Sequence, residues 1–165
     1  MKEYTYIMIK PDGVKQGLTE EIVRRIHSKG FEIKLFDVRK LSGEVLDEHY
    51  AHVKDRPFYP EMKEFMLSDY VVPMIVYGEN AVQGMRDLMG PTKSAEAPAG
   101  TIRGDYGNKE IVNQNVIHGS DSQENALISS YNSLSYLFFS SIDLKRLINK
   151  KQYQNSDVFH SLTPL

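Results

Sequence analysis

The strongest constraint on this chain is the order in which its apolar residues change spacing. EYTYIMIK, near the start, is rich in β-branched and aromatic residues and breaks off at KPDG, so it reads as a strand ending at Lys10 and followed by a turn. Ile22, Val23 and Ile26 then recur at helical spacing until SKG, predicting a helix over residues 20–29 with Thr19 as N-cap. FEIKLFDVRKL returns to alternation, with Phe31, Ile33 and Leu35 expected on one face of a second strand. Two helical pieces follow: one capped by Ser42, carrying Leu46, His49, Tyr50 and Val53 and ended by Pro57, the other around residues 62–66. YVVPMIVYG reads as a third strand, with Pro73 arguing against a place in the sheet centre. Asn80 is expected to cap a helix bearing Val82, Met85 and Met89. EIVNQNVIHG is a fourth strand, and SDSQENALISSYNSLSYLFF contains a helix. Strand, helix, strand, strand, helix, strand predicts an α+β fold, a ferredoxin-like βαββαβ sandwich with an antiparallel sheet, helices on one face and additional inserted helices.

Length and charge narrow the class further. The chain's 165 residues suit a single domain over residues 1–150, and the polar stretch NKKQYQNSD predicts a tail over residues 151–165. A net charge of −2 argues against a broad field for nucleic acid, so an anionic ligand must meet a local cluster of cations. The absence of cysteine removes disulfides, thiolate nucleophiles and cysteine-based metal sites. No apolar run is long enough for a signal segment or a membrane span, so the expected compartment is the cytoplasm.

The chemistry concentrates on His118. It stands at the end of the expected fourth strand beside Gly119, where a ring nitrogen, unprotonated in much of the population at neutral pH, can be approached closely and act as a nucleophile. The expected helix start at SDS favours an anion, and Ser120 is placed to orient the ring. Taken alone, His118 reads first as a half-buried histidine closing a turn. Lys10, Arg86 and Arg103 shift that balance, because phosphoryl transfer runs on cations converging from separate elements. Neither KPDG nor TIRGDYG matches a P-loop. The loop over residues 90–110 has no clear period, as functional loops often do not. Phe58, set between prolines in DRPFYP, is either a ring that stacks on a base or a packing residue. His49 and His52 could share a helix face, but no third ligand accompanies them, so no protein metal site is assigned.

NVIHGSDS, KPDGV, HYAHVKDRPFYPEM and GTIRGDYG occur in the order and approximate spacing of the nucleoside diphosphate kinase family, which the chain resembles over roughly residues 3–126. The resemblance implies a ferredoxin-like fold and a ping-pong reaction. A histidine matched by His118 takes the γ-phosphoryl group of a nucleoside triphosphate on Nδ1 and passes it to a nucleoside diphosphate. It further implies that Lys10 contacts phosphate and the ribose 3′-hydroxyl, and that Asn115 contacts the ribose. Arg86, Thr92 and Arg103 match phosphate-binding side chains, Tyr50 stands beside the histidine with Ser120, and Phe58 and Met62 belong to the substrate-binding set. A base held by its face accounts for tolerance of many nucleotides. Magnesium is expected on the nucleotide phosphates, and the assembly is expected to be a homo-oligomer, a hexamer or tetramer.

Several positions depart from the pattern. Gln16 replaces the family arginine after KPDGV, Ser129 stands where a glutamate usually backs the histidine, with Glu124 as a displaced substitute, and the segment from Arg103 to Asn115 and the region before Phe138 are longer. Activity is expected, with two alternatives. One is a weak or silent family member acting through assembly. The other is a ferredoxin-like RNA-binding module, supported by Tyr4 and Tyr6 in the first strand.

Overall fold

Alternation in the first strand sets up two cores. In this computed structural model, which describes residues 1–121 with His49 and His52 by their backbone alone, β1 (Lys2–Ile9) turns Ile7 and Ile9 to one face and Tyr6 and Met8 to the other, all buried. β2 (Glu32–Phe36), β3 (Val72–Glu79) and β4 (Ile117–Gly119) complete a sheet in the order β2-β3-β1-β4, with every adjacent pair antiparallel. The helices among the described residues are α1 (Pro11–Lys15), α2 (Thr19–Ser28), α3 (Gly43–His49), α4 (Tyr59–Leu67), α5 (Ala81–Met89) and α6 (Ile102–Tyr106). Ile22 and Ile26 of α2 and Met85 and Leu88 of α5 pack with Ile7, Ile9, Met74 and Val76. Leu46 of α3 and Met66 of α4 pack with Tyr6, Met8, Val71 and Ile75 on the opposite face. The ferredoxin-like helices thus cover one face, and the inserted helices cover the other. The described residues fall within one unit, Met1–Asn132.

Local expectations failed where a tertiary contact replaced a local one. Phe31 and Ile33 pack on the first core, but Leu35 packs on the second, because the ladder with β3 shifts between Ile33, opposite Val76, and Leu35, opposite Ile75. This bulge at Lys34 flips the faces. Pro73 does lie in an inner strand. Its carbonyl accepts from Asp37 N, just beyond the end of β2, so the donor it lacks faces the end of that ladder. Thr19 is the first residue of α2 and not its cap; Leu18, anchored in the core, holds that position. Asn80 precedes α5 in a left-handed conformation (φ 50°) and makes no side-chain cap, and the Glu3 carboxylate on β1 accepts from Val82 N in its place. Ser42 caps α3 as expected, accepting from Val45 N. That helix ends at His49, well before Pro57, and a tight turn over Ala51–Val53 follows.

The KPDG segment is not a plain turn: Pro11 opens α1 at a position where its missing N–H costs nothing. Residues 90–110 hold α6 and a short helical turn, Ser94–Glu96. The expected fourth strand shrinks to β4, since Val116 just before it has a φ of 61°. Tyr6 is buried and the Tyr4 ring lies 4.6 Å from that of Tyr77, so β1 offers no free stacking platform for RNA. No helix among the described residues is long and apolar enough to cross a membrane. Glu124, Ser129, Phe138, the helix after His118 and the expected tail lie outside the described residues.

Candidate active site

The site begins with a strained turn. Ile117 N donates to Asn115 O at 2.8 Å, closing a three-residue turn around Val116, whose positive φ is rare for a β-branched side chain. Such a conformation costs on the order of 1–3 kcal/mol and persists where its surroundings over-determine it. Here α1 does so. Lys10 N donates to Val116 O at 2.9 Å, Val116 N donates to Asp12 Oδ2 at 2.9 Å, and the Val116 side chain is fully buried. A Cβ on Gly13 would stand 2.7 Å from Val116 O, so glycine is what lets the two segments touch. Thus the motif that reads as a punctuation mark in sequence is a clamp on the backbone two residues before His118.

His118 continues into β4 opposite Met8 and stands edge-on to the Tyr6 and Tyr50 rings, with centroids 6.4 Å away in each case. It lines a cleft of about 1120 Å³ together with Lys10, Tyr50, Met62, Arg86, Thr92, Arg103, Asn115 and Ser120, which arrive from separate elements. Lys10 Nζ donates at 2.8 Å to both Asn113 O and Asn115 Oδ1, and Asn115 Nδ2 donates to Thr92 O at 2.9 Å. Burial pushes the Lys10 ammonium down to about 8; Asp12 opposes the shift and Arg103 adds to it. Arg103 Nη1 donates to Gly90 O and Nη2 to Ile117 O, each at 2.8 Å, while Nε is buried with no hydrogen-bond partner. Burial, and then Arg86 beside it, lowers the Arg103 guanidinium to about 10. Two desolvated cations face the same cavity, an arrangement that an anion would relieve.

Gly90 ends α5 with a φ of 80°, and a Cβ there would meet Thr101 Oγ1 at 2.7 Å, so α5 can hand its final carbonyl to Arg103. Ser120 N donates to Tyr6 O at 3.0 Å, and its buried Oγ has no hydrogen-bond partner. Burial also raises the Tyr50 hydroxyl well above its ordinary value, with Tyr6 and Tyr59 adding to the effect.

Phe58 does not line the cleft. It immediately precedes α4, 47% exposed, and its carbonyl accepts from Met62 N, one turn along. Gln16 is exposed at the end of α1 and likewise stands outside the lining. Sequence reasoning missed Asp12, Gly13 and Val116, which hold the turn, and Val112, an apolar side chain 49% exposed at the cleft. The signal for Val112 was a β-branched pair, Ile111–Val112, in an otherwise polar loop.

A family model described as nucleoside diphosphate kinase matches residues 3–139. The chain belongs to that family. It is 46% identical over 127 residues to the nucleoside diphosphate kinase of Streptomyces coelicolor, covering 76% of this chain and 91% of the relative. The Streptococcus agalactiae nucleoside diphosphate kinase is 42% identical over 127 residues, covering 75% and 92%. Among solved structures, the Encephalitozoon cuniculi nucleoside diphosphate kinase aligns with a TM-score of 0.76 at 37% identity over 88% of this chain and 99% of that one. The Halobacterium salinarum enzyme in complex with CDP aligns with a TM-score of 0.75 at 34% identity over 90% and 99%. The protein is therefore a phosphotransferase of the nucleoside diphosphate kinase family, a class that binds nucleotides.

Proposed function

We propose that His118 carries the phosphoryl group in this nucleoside diphosphate kinase. Its Nδ1 forms a bond to the γ-phosphorus of a nucleoside triphosphate as the bond from phosphorus to the β–γ bridging oxygen breaks; that oxygen and its electron pair leave with the diphosphate. A second diphosphate then attacks through a terminal β-phosphate oxygen and restores the free imidazole. The observation that supports this most is the convergence of Lys10, Arg86 and Arg103 on one cleft with His118, with the Arg103 Nε still without a hydrogen-bond partner. Arg86, Arg103 and Thr92 contact the phosphates, Lys10 and Asn115 the ribose and phosphate, Tyr50 stands edge-on to the imidazole ring, and the Ser120 hydroxyl, unpartnered in the free protein, is left to meet the ring or the phosphoryl group. Phe58 and Met62 take the base.

Magnesium enters with the nucleotide. Among the described residues no cluster of histidine and carboxylate groups forms a cage, while Asp87 and Asp121 offer oxygen donors at the cleft, a set that suits an ion held mainly by phosphate and water. When bound, it would neutralise charge on the nucleotide phosphates. Assembly into a homo-oligomer, expected as a hexamer or tetramer, is supported by the exposed Phe36, Val38 and Tyr70 near β2, an edge strand of the sheet among the described residues. A cytoplasmic location fits enzymes that draw on the nucleoside triphosphate pool. Incubation with γ-labelled ATP tests the central role: label is expected on His118, and its appearance on another residue with full turnover in His118→Ala would refute the assignment.

A further inference from the structure

Arg103 reaches the cleft from α6, a helix of only 5 residues, and so short a helix does not hold its own position. Thr101 caps it, accepting from Gly104 N at 3.0 Å, and a second set of restraints lies outside the cleft, on α2. Arg25 Nε donates to Glu21 Oε1 at 2.7 Å, Nη1 donates to Asp105 Oδ2 at 2.7 Å and Gly100 O at 3.3 Å, and Nη2 donates to the Tyr106 hydroxyl at 3.1 Å. Its guanidinium also lies over the Tyr106 ring, 4.9 Å from the centroid. Asp105 passes the restraint on, since Oδ1 accepts from Gly100 N at 2.8 Å. Lys109 closes the other end of α6, donating to Ser94 O at 2.9 Å, Arg103 O at 3.3 Å and Gly104 O at 2.6 Å. α6 therefore turns Arg103 inward to the cleft while Asp105 and Tyr106 face the clamp.

We propose that Arg25 is a positioning residue for phosphoryl transfer: by gripping Asp105, Tyr106 and Gly100 it sets where the Arg103 guanidinium stands. The inference rests on the reading that Arg103 meets the transferred phosphoryl group. A bound arginine fork explains why the position takes this residue, because its planar donors reach a carboxylate, a hydroxyl and a carbonyl together; an ammonium satisfies fewer of them in one geometry. The Arg25 side chain is 16% exposed, so solvent screens these pairs less than it screens the Arg24–Glu21 pair, whose arginine is 63% exposed.

The experiment is a double-mutant cycle read in kcat, KM and Tm, using the full chain. Arg25→Met is expected to lower kcat roughly 10- to 100-fold with little change in KM, the cost of moving a charge that must meet the reacting group. Arg25→Lys should recover Tm more fully than kcat. In an Arg103→Met background the further loss from Arg25→Met should fall below about twofold, while its effect on Tm persists. Asp105→Asn should repeat the pattern from the other side of the clamp, which keeps the test decisive if Arg25→Met does not fold. Equal losses of kcat in both backgrounds, or losses that follow Tm and are cured by lysine, would overturn the proposal. If Arg103→Met alone leaves kcat unchanged, the phosphate-contact reading fails first, and the role of Arg25 falls with it.

Discussion

The two ends of the cleft are built by opposite rules. At the end proposed to hold the phosphates and ribose, Asn115 is 2% and Arg103 8% exposed, and each is tied to backbone from a distant segment. At the other end Val112 is 49% exposed, and Phe58, outside the lining, is 47% exposed. The contrast follows from what each end has to do. Transfer between two nucleotides needs the phosphorus, the imidazole and the cations within fractions of an ångström, and buried, cross-braced groups supply that. A base gripped by its face needs only an apolar wall, and a loosely held wall admits bases of different shape.

The largest effect should come from removing the proposed carrier. His118→Ala is expected to lower turnover by several orders of magnitude while nucleoside diphosphate still binds, as calorimetric titration would record; loss of binding in step with turnover would blur the distinction between the two ends. Next is a change that touches no substrate. Gly13→Ala drives a methyl group to 2.7 Å from Val116 O, and should cost about 1–3 kcal/mol in denaturant unfolding and lower kcat as well. Val112→Ile, at the open end, should leave stability within about 0.5 kcal/mol of the parent. Equal costs would mean that the phosphate end is no more tightly specified than the rim.

Proton linkage gives a third contrast. Burial lowers Lys10 to about 8 from an ordinary 10.5, so its charge is present below that value and is lost as pH rises through it. In the free protein the penalty for burying this cation is full below pH about 8 and is relieved between there and about 10.5, so this group makes folding stability rise over that window. Nucleotide binding should run the other way, weakening above pH about 8 and taking up protons there, because phosphate favours the charged form. Titration in buffers of different ionisation enthalpy would reveal the uptake, and its persistence in Lys10→Met would remove Lys10 from the account. Phe58→Ala should raise KM several-fold with kcat nearly constant, as expected of a contact made equally in ground and transition states. A fall in kcat alone would place the ring in the reacting geometry. The smallest effect is expected from Gln16→Arg. Its side chain is exposed and outside the cleft lining, so restoring the family charge should change kcat/KM by less than about twofold.

The same division explains what could be read from sequence. Strand and helix order, the histidine and the converging cations are carried by residue type and period, and those were legible in EYTYIMIK, in the helical spacing of Ile22 and Ile26, and in NVIHG. Asp12, Gly13 and Val116 were not, because their roles exist only once α1 meets the chain about a hundred residues later. The bulge at Lys34 and the Glu3 cap on α5 were hidden for the same reason: each is a tertiary contact that replaces a local rule. DRPFYP left Phe58 open between a stacking ring and a packing residue; the ring is 47% exposed, and its place outside the cleft lining depended on where α4 begins.

The most direct measurement is the mass of the intact protein after brief exposure to ATP and magnesium, followed by peptide mapping under alkaline conditions that preserve phosphohistidine. A single acid-labile phosphoryl group on His118, discharged on adding nucleoside diphosphate, is the predicted result. An acid-stable phosphoryl group on another side chain, or turnover that proceeds with His118 never modified, would contradict the account.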